Sequence, residues 1–195
     1  MAGAPEEKRR LILDAAVRVF AREGYHDARV GDIAKEAGVA YGLVYHYFTS
    51  KEAVLEAVFR ETWGLMLAAI HDVEERGGPA PDQLRRVCAI VLRAWGNDQD
   101  LVRVLVREVA RSPQIQREID EIGQAFAALE RIIQRGQDEG AFTSDLSART
   151  VGWMLYGALE EILTGWVMGQ LPDDEEAVAE AERTIVAIFA NGLRA

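Results

Sequence analysis

The sequence predicts an all-α protein of about nine helices, with an N-terminal three-helix helix-turn-helix head on a C-terminal helical body. Three observations carry that fold class. Apolar residues recur at three- and four-residue spacing from Ile12 to Phe189, no segment alternates polar and apolar residues as a half-buried strand would, and glycine or proline punctuates the helical stretches. The chain has 195 residues, enough for a substantial core, and 49% of them are apolar, which sets disorder aside.

Residues 1–5 read as a loose tail, followed by a helix from Glu6 to Glu23 with Ile12, Ala15, Ala16, Val19 and Phe20 on one face. Gly24 ends it, because a residue just past a helix commonly takes a left-handed backbone that glycine adopts cheaply. Arg29 to Ala37 is the second helix, with Val30, Ile33, Ala34 and Ala37 inward, and Gly38 stops it. Tyr41 to Tyr47 is the third. Two short helices joined by a tight glycine-bearing turn form a helix-turn-helix, whose second helix can enter the DNA major groove.

That second helix packs Tyr41, Gly42, Tyr45, His46 and Tyr47 into seven residues. Phenols and an imidazole are better placed against phosphates and base edges than in a core, and a glycine allows close approach. The alternative is that Tyr45 and Tyr47 are half-buried packing residues. Phe48 plugs the core, and Thr49-Ser50-Lys51-Glu52 matches a capping box with Thr49 bonding forward and Glu52 reaching back. Lys51 is then free to reach a phosphate. Lys8, Arg9 and Arg10 stand where a flanking phosphate could meet them, or are ordinary surface charge.

This stretch resembles the DNA-binding domain of the TetR family of bacterial transcriptional regulators, through Gly24-Tyr25, Val30-x-Asp32-Ile33-Ala34, Ala37-Gly38-Val39, Gly42-x-x-Tyr45-x-Tyr47-Phe48 and Ser50-Lys51-Glu52. The resemblance implies DNA contacts at Ala40, Tyr41, Gly42, Tyr45 and Lys51, with His46 as a neighbour. Two positions depart from the family pattern, which usually places Ser or Thr at Ala28 and Ala40. Ala40 cannot cap the recognition helix through its side chain, a loss of about 1 kcal/mol. Arg29, where a small hydroxyl residue is usual, can supply a charged phosphate contact instead.

Beyond the head, Lys51 to about Arg76 continues as one helix without a flexible linker, and Gly77-Gly78-Pro79-Ala80-Pro81 breaks it. Asp82 is expected to cap the next helix, which carries Leu84, Val87, Cys88, Val91, Leu92 and Trp95. After Gly96-Asn97-Asp98 comes a helix with Leu101, Val102, Leu105 and Val109 on one face and Arg103, Arg107 and Arg111 on the other. Ser112-Pro113 interrupts, Gln114 to about Gln137 is a further helix, and Gly140 to Asp145 closes that unit. Ala148 to Gly169 is apolar almost all round, so it needs partners on both faces. The last helix begins after Pro172 with acids at its positive end. The expected division is a DNA-binding domain at 1–51 and a ligand-binding and dimerisation domain at 52–195.

The net charge of −10 argues against a nucleic-acid partner until its distribution is considered. Through Lys51 the chain holds eight of the 22 Lys and Arg and seven of the 32 Asp and Glu, leaving 14 basic against 25 acidic residues for the body. The acidity belongs to the body, which permits DNA binding by the head. A single cysteine rules out an internal disulfide framework, and no apolar run approaches the ~18 residues of a membrane span. A cytoplasmic location is expected, with no membrane partner.

There is no Gly-rich phosphate loop, Gly-x-Ser-x-Gly elbow or dinucleotide fingerprint, and His26, His46 and His71 fall far apart. No enzymatic activity, cofactor or metal is expected. The four tryptophans all follow the head and suit an apolar pocket, though each also suits plain packing. A weaker resemblance, through Gly136-x-x-x-Gly140-x-Phe142 and the stretch from Gly157 to Met168, is to the fatty-acid-responsive, FadR-type branch. It implies a long-chain acyl-CoA effector, its apolar chain among Trp63, Trp95, Trp153 and Tyr156, its phosphates on Arg103, Arg107 and Arg111 unless that row is a solvated face. The resulting expectation is a homodimeric repressor of a palindromic double-stranded DNA operator, released by a small apolar effector. The competing readings are a multidrug-responsive regulator with an aromatic effector, and a helical ligand-binding or adaptor protein not acting on DNA.

Overall fold

The computed structural model describes residues 4–109 and 120–193. Among them are nine helices and no strand: α1 (Ala4–Glu23), α2 (Val30–Glu36), α3 (Tyr41–Tyr47), α4 (Lys51–Arg76), α5 (Ala80–Asn97), α6 (Gln99–Val109), α7 (Asp120–Asp138), α8 (Ala148–Val167) and α9 (Glu175–Gly192). They form two compact units. One holds the chain to Thr62 together with the segment from Asp100; the other holds Trp63–Gln99 and the chain from α7 onward. The division falls inside α4, so that helix contributes residues to both.

In the first unit α1 packs on α2 and α2 on α3. The expected apolar stripe of α1 is the core: Ile12, Ala15, Ala16 and Val19 are fully buried and Phe20 nearly so. Ile33, Ala34, Val44, Phe48, Val54, Leu55, Val58 and Phe59 complete it. Each large side chain withdrawn from water there contributes about 1.5–3 kcal/mol. α1 starts at Ala4 rather than Glu6, because Pro5 fits a first turn whose N–H groups have no intrahelical partner. Gly24 and Gly38 both take the left-handed backbone expected of them, with φ of 80° and 66°. At Gly38 the Val39 N–H bonds back to the Ala34 carbonyl at 3.0 Å, closing α2 as a Schellman turn.

In the second unit α5 packs against α7, α8 and α9, α7 against α8, and α8 against α9. Two caps expected from sequence are corrected. α5 begins at Ala80 with Pro79 as its N-cap and no side-chain cap, so Asp82 lies within the first turn and pairs with Arg85 instead. At the start of α4 it is the Ser50 hydroxyl, not Thr49, that accepts from a backbone amide, that of Ala53 at 3.2 Å. The expected helix from Gln114 is described only from Asp120; its earlier part and the Ser112-Pro113 break lie outside the described residues.

The Gly77-Gly78 break is held from below by a buried polar chain. Fully buried Gln83 donates to the Gly78 carbonyl at 2.7 Å and accepts from Arg135 at 2.7 Å, and Arg86 donates to the Gly77 carbonyl at 3.1 Å. Gly136 meets Phe142 so closely that a Cβ there would lie 2.3 Å from the ring and 2.8 Å from the Ala80 methyl carbon. The Gly136 carbonyl accepts from the amides of Ala141 and Phe142, at 2.8 and 2.9 Å. Burial pushes the Cys88 thiol up to about 12, which makes it an inert core residue. Among the described residues no helix is long and apolar enough to cross a membrane.

Candidate nucleic-acid interface and effector region

α3 buries Val44 and leaves a continuous outer face. Ala40, Tyr41, Gly42, Tyr45 and His46 are all exposed, spaced so that 41, 42, 45 and 46 share one side of the helix. Tyr41 and Tyr45 are 57% and 44% exposed, unusual for rings of that size on a helix with a buried opposite face. The Tyr41 hydroxyl donates to that of Tyr45 at 3.3 Å and the rings meet edge to face at 5.2 Å. The bond shared with Tyr41 is the chief cause that raises the Tyr45 phenol above its usual value, and a phenol is a neutral donor near pH 7 in any case. Tyr47 turns the other way and is half-buried, as the packing alternative had it.

Gly42 has an ordinary helical backbone, and a Cβ added to it would meet nothing within 4 Å. Glycine inside a helix costs about 1 kcal/mol relative to alanine. Neither backbone strain nor internal crowding accounts for it here. Ala40 is the N-cap of α3 and makes no side-chain cap bond, and Arg29 is the exposed N-cap of α2, again without one. The expected DNA-facing residues other than Lys51 are therefore on the surface and unoccupied by core packing.

Lys51 is placed differently, and the expectation that it is free is corrected. Its Nζ donates to the carbonyls of Tyr25 at 2.6 Å, Ala28 at 2.8 Å and His26 at 3.1 Å, and lies 4.5 Å from the centre of the Tyr25 ring. The Tyr25 hydroxyl donates to Glu52 at 3.0 Å, so Glu52 turns to Tyr25 rather than closing a capping box. Bonds from its own backbone amide, Ser50 and Tyr25 hold the Glu52 carboxyl below its usual value. Burial, then the bond to Glu52, push the Tyr25 phenol upward. Of the basic residues at the start of α1, Arg9 pairs with Glu61 and stacks over Phe48, while Lys8 and Arg10 are exposed.

The residues expected to hold an effector fall into separate places. Within the second unit, Trp63 meets Tyr156 at 6.2 Å between ring centres, Phe126 meets Tyr156 edge to face at 4.8 Å, and Phe126 stacks on Trp153 at 4.3 Å. Phe126 of α7 is the ring that joins this cluster; its partners come from other helices, so spacing alone carried no signal of it. Trp95 is fully buried beside Trp166 and is a core residue, while Trp153 is 55% exposed. Glu160, one turn beyond Tyr156, is held above its usual value first by burial and then by Glu161. Arg103 and Arg107 belong to the other unit, where Arg103 bonds Asp100 at 2.9 Å and Arg107 donates to the Ala21 carbonyl at 3.4 Å. A cation there favours the negative end of α1. Arg111 lies outside the described residues.

Residues 12–58 match the model of the bacterial regulatory proteins of the tetR family, and residues 59–187 match that of the C-terminal region of YsiA-like proteins. The chain belongs to the TetR family. It is a transcriptional regulator of that family, whose helix-turn-helix is the head described above. Across its length this TetR-family chain is 29% identical over 184 residues to the fatty acid metabolism regulator protein of Bacillus subtilis (strain 168), covering 93% of each chain. It is similar to the crystal structure of the transcriptional regulator FadR from Bacillus subtilis in complex with stearoyl-CoA, with a TM-score of 0.84, 29% identity and coverage of 95% and 99% of the two chains. The fatty acid degradation regulator FadR from Bacillus halodurans is similar to the same extent, with a TM-score of 0.82 at 29% identity.

Proposed function

We propose that the protein is a cytoplasmic repressor that binds a palindromic operator as a homodimer and leaves it when its body takes up a long-chain acyl-CoA. The observation that carries the DNA reading is the outer face of α3, where two exposed phenols flank a glycine that has no internal reason to be one. Arg29, Ala40, Tyr41, Gly42, Tyr45 and His46 form the proposed contact set. Tyr45, as a neutral donor, suits a phosphate oxygen; Tyr41 and Gly42, at the start of the helix, suit base edges.

The homodimer is supported by Met154 of α8 and Met168 just after it, 63% and 60% exposed, and by Ile188 of α9 at 62%. Large apolar side chains exposed along two helices mark an association surface more often than a free one. Two identical heads would then meet half-sites related by twofold symmetry.

The acyl-CoA reading is supported by likeness to a regulator solved with stearoyl-CoA and by the Trp63, Phe126, Trp153 and Tyr156 cluster in the second unit. We propose this cluster as the region that meets the apolar chain, each buried methylene contributing about 0.8 kcal/mol. Arg103 and Arg107, expected to meet the phosphates, belong to the other unit and Arg111 lies outside the described residues, so among this chain's own residues the reading rests on the aromatic cluster alone. Because α4 contributes to both units, an effector that favours a different setting of α4 would shift the head only by its difference in affinity for the two states.

The test is gel-shift binding to the DNA upstream of the protein's own gene, across a salt series, with and without stearoyl-CoA. Specific, salt-dependent binding released by the acyl-CoA is the expected result. Tyr45→Phe should lose on the order of tenfold or more in affinity for all sequences alike, since a bond to a charged group contributes about 1.5–3 kcal/mol. Binding by wild type that a planar aromatic compound releases and no acyl-CoA does would leave the regulator and sink the effector assignment.

A further inference from the structure

We propose that Lys51 is a positioning residue that sets the recognition helix from behind, rather than a phosphate ligand. An ammonium has three N–H donors, and here three carbonyl oxygens within 2.6–3.1 Å take them all. Those carbonyls belong to Tyr25, His26 and Ala28, the connection between α1 and α2 that ends at Arg29, the N-cap of α2. Lys51 itself opens α4, four residues after α3 ends. One side chain therefore fixes the helix-turn-helix at its entry and at its exit.

The surroundings make this a built arrangement. The face of the Tyr25 ring lies beneath the ammonium at 4.5 Å, adding a cation–π attraction. The Tyr25 hydroxyl reaches forward to Glu52, and the ring packs edge to face on Phe20 at 5.4 Å. Ser50 caps the same turn of α4 through the Ala53 amide. Lys51 and Glu52, consecutive residues of α4, thus hold the backbone and the ring of the same connecting segment. A shift in the first turn of α4 must pull on that segment or break three charge-assisted bonds. This inference rests on the DNA-binding reading of the head and assigns to it the joint through which α4 sets α2 and α3.

The full-length protein distinguishes the two roles. Lys51→Met removes charge and donors; Lys51→Arg keeps the charge but replaces a compact ammonium by a planar fork that cannot converge on three carbonyls. The expected result is that both variants lose at least tenfold in affinity for the upstream DNA, with the slope of log affinity against log salt unchanged. Amide hydrogen exchange should quicken across residues 29–33 in both. A phosphate ligand behaves oppositely: Arg rescues, and Met makes the slope shallower by about 0.9 for each phosphate it leaves unneutralised. That pattern, or wild-type exchange rates in both variants, overturns the proposal. Should Lys51→Met fail to fold, Lys51→Arg carries the same discrimination. If the wild type binds no DNA, the regulator reading fails while hydrogen exchange still tests the joint.

Discussion

Gly136→Ala is the most discriminating test of packing in the body. The new methyl would start 2.3 and 2.6 Å from two atoms of the Phe142 ring and 2.8 Å from the Ala80 Cβ. Neither neighbour has room to retreat: Phe142 is 1% exposed and Ala80 fully buried. Phe142 is also tied by its amide to the Gly136 carbonyl, so the ring cannot slide along the helix. Forcing a methylene into such a site costs about 3 kcal/mol, the upper end for overpacking, and alanine returns about 1 kcal/mol of helix propensity. A net loss of about 2 kcal/mol follows, read as a lower urea midpoint, or as a fall of roughly 4–8 °C in Tm for a chain of this size. On a Phe142→Ala background the two ring contacts disappear and only the 2.8 Å approach to the Ala80 Cβ remains, so adding Gly136→Ala should cost clearly less than it does in wild type. A coupling of about 1–2 kcal/mol in that double-mutant cycle is the signature, within the range for residues in contact. Gly165→Ala is the control, because the atoms it meets, from 2.6 Å outward, belong to Leu171, which is 40% exposed and can turn away. A Gly136→Ala variant as stable as wild type, or additive with Phe142→Ala, would refute the reasoning.

Gly42→Ala should stabilise the head by up to about 1 kcal/mol, as nothing surrounds its Cβ position, and weaken binding to the upstream DNA; a stabilised variant with unchanged affinity would remove the close-approach explanation. The Glu52 carboxyl is held low by its amide, Ser50 and Tyr25, so its contribution is present above the unfolded carboxylate value of about 4.3 and is lost as pH falls through the lower folded value. Urea midpoints measured down that range should show this loss, and Tyr25→Phe should lower stability at neutral pH while flattening the decline. Glu160 has the opposite sign: its folded value is raised by burial and Glu161, so its charge opposes folding at neutral pH. Glu160→Gln should raise the neutral-pH midpoint, with the gain vanishing once both folded and unfolded carboxyls are protonated; a gain that persists in acid would point to packing instead.

How much of this was legible in the sequence follows from the range of the forces concerned. The ends of α1 and α2 were readable because local chemistry sets them: glycines at 24 and 38 relieve a backbone strain no other residue relieves as cheaply, and the apolar stripe of α1 admits one face inward. Tyr41, Gly42, Tyr45 and His46 were readable as polar rings and a glycine crowded into seven residues, whereas Ala40 and Arg29 entered only through the resemblance to the TetR family. Adjacent hydroxyls at Thr49 and Ser50 are equivalent on paper, and only the folded entry into α4 put Ser50 within reach of the Ala53 amide. Asp82 read as a cap because proline looked like an obstacle, whereas Pro81 sits in a first turn that needs no N–H from it. Lys51 read as free because its three acceptors are 23 to 26 residues away in sequence. The spacing Gly136-x-x-x-Gly140-x-Phe142 could be noticed without being understood, because the reason for the first glycine is a ring and a methyl group brought to it by the turn and by another helix. Backbone conformation and helical facing are local and were written in the chain. Which side chain fills which space, and where a long charged one finds its partners, is a matter of contacts between residues far apart in sequence, and only the tertiary structure decided it.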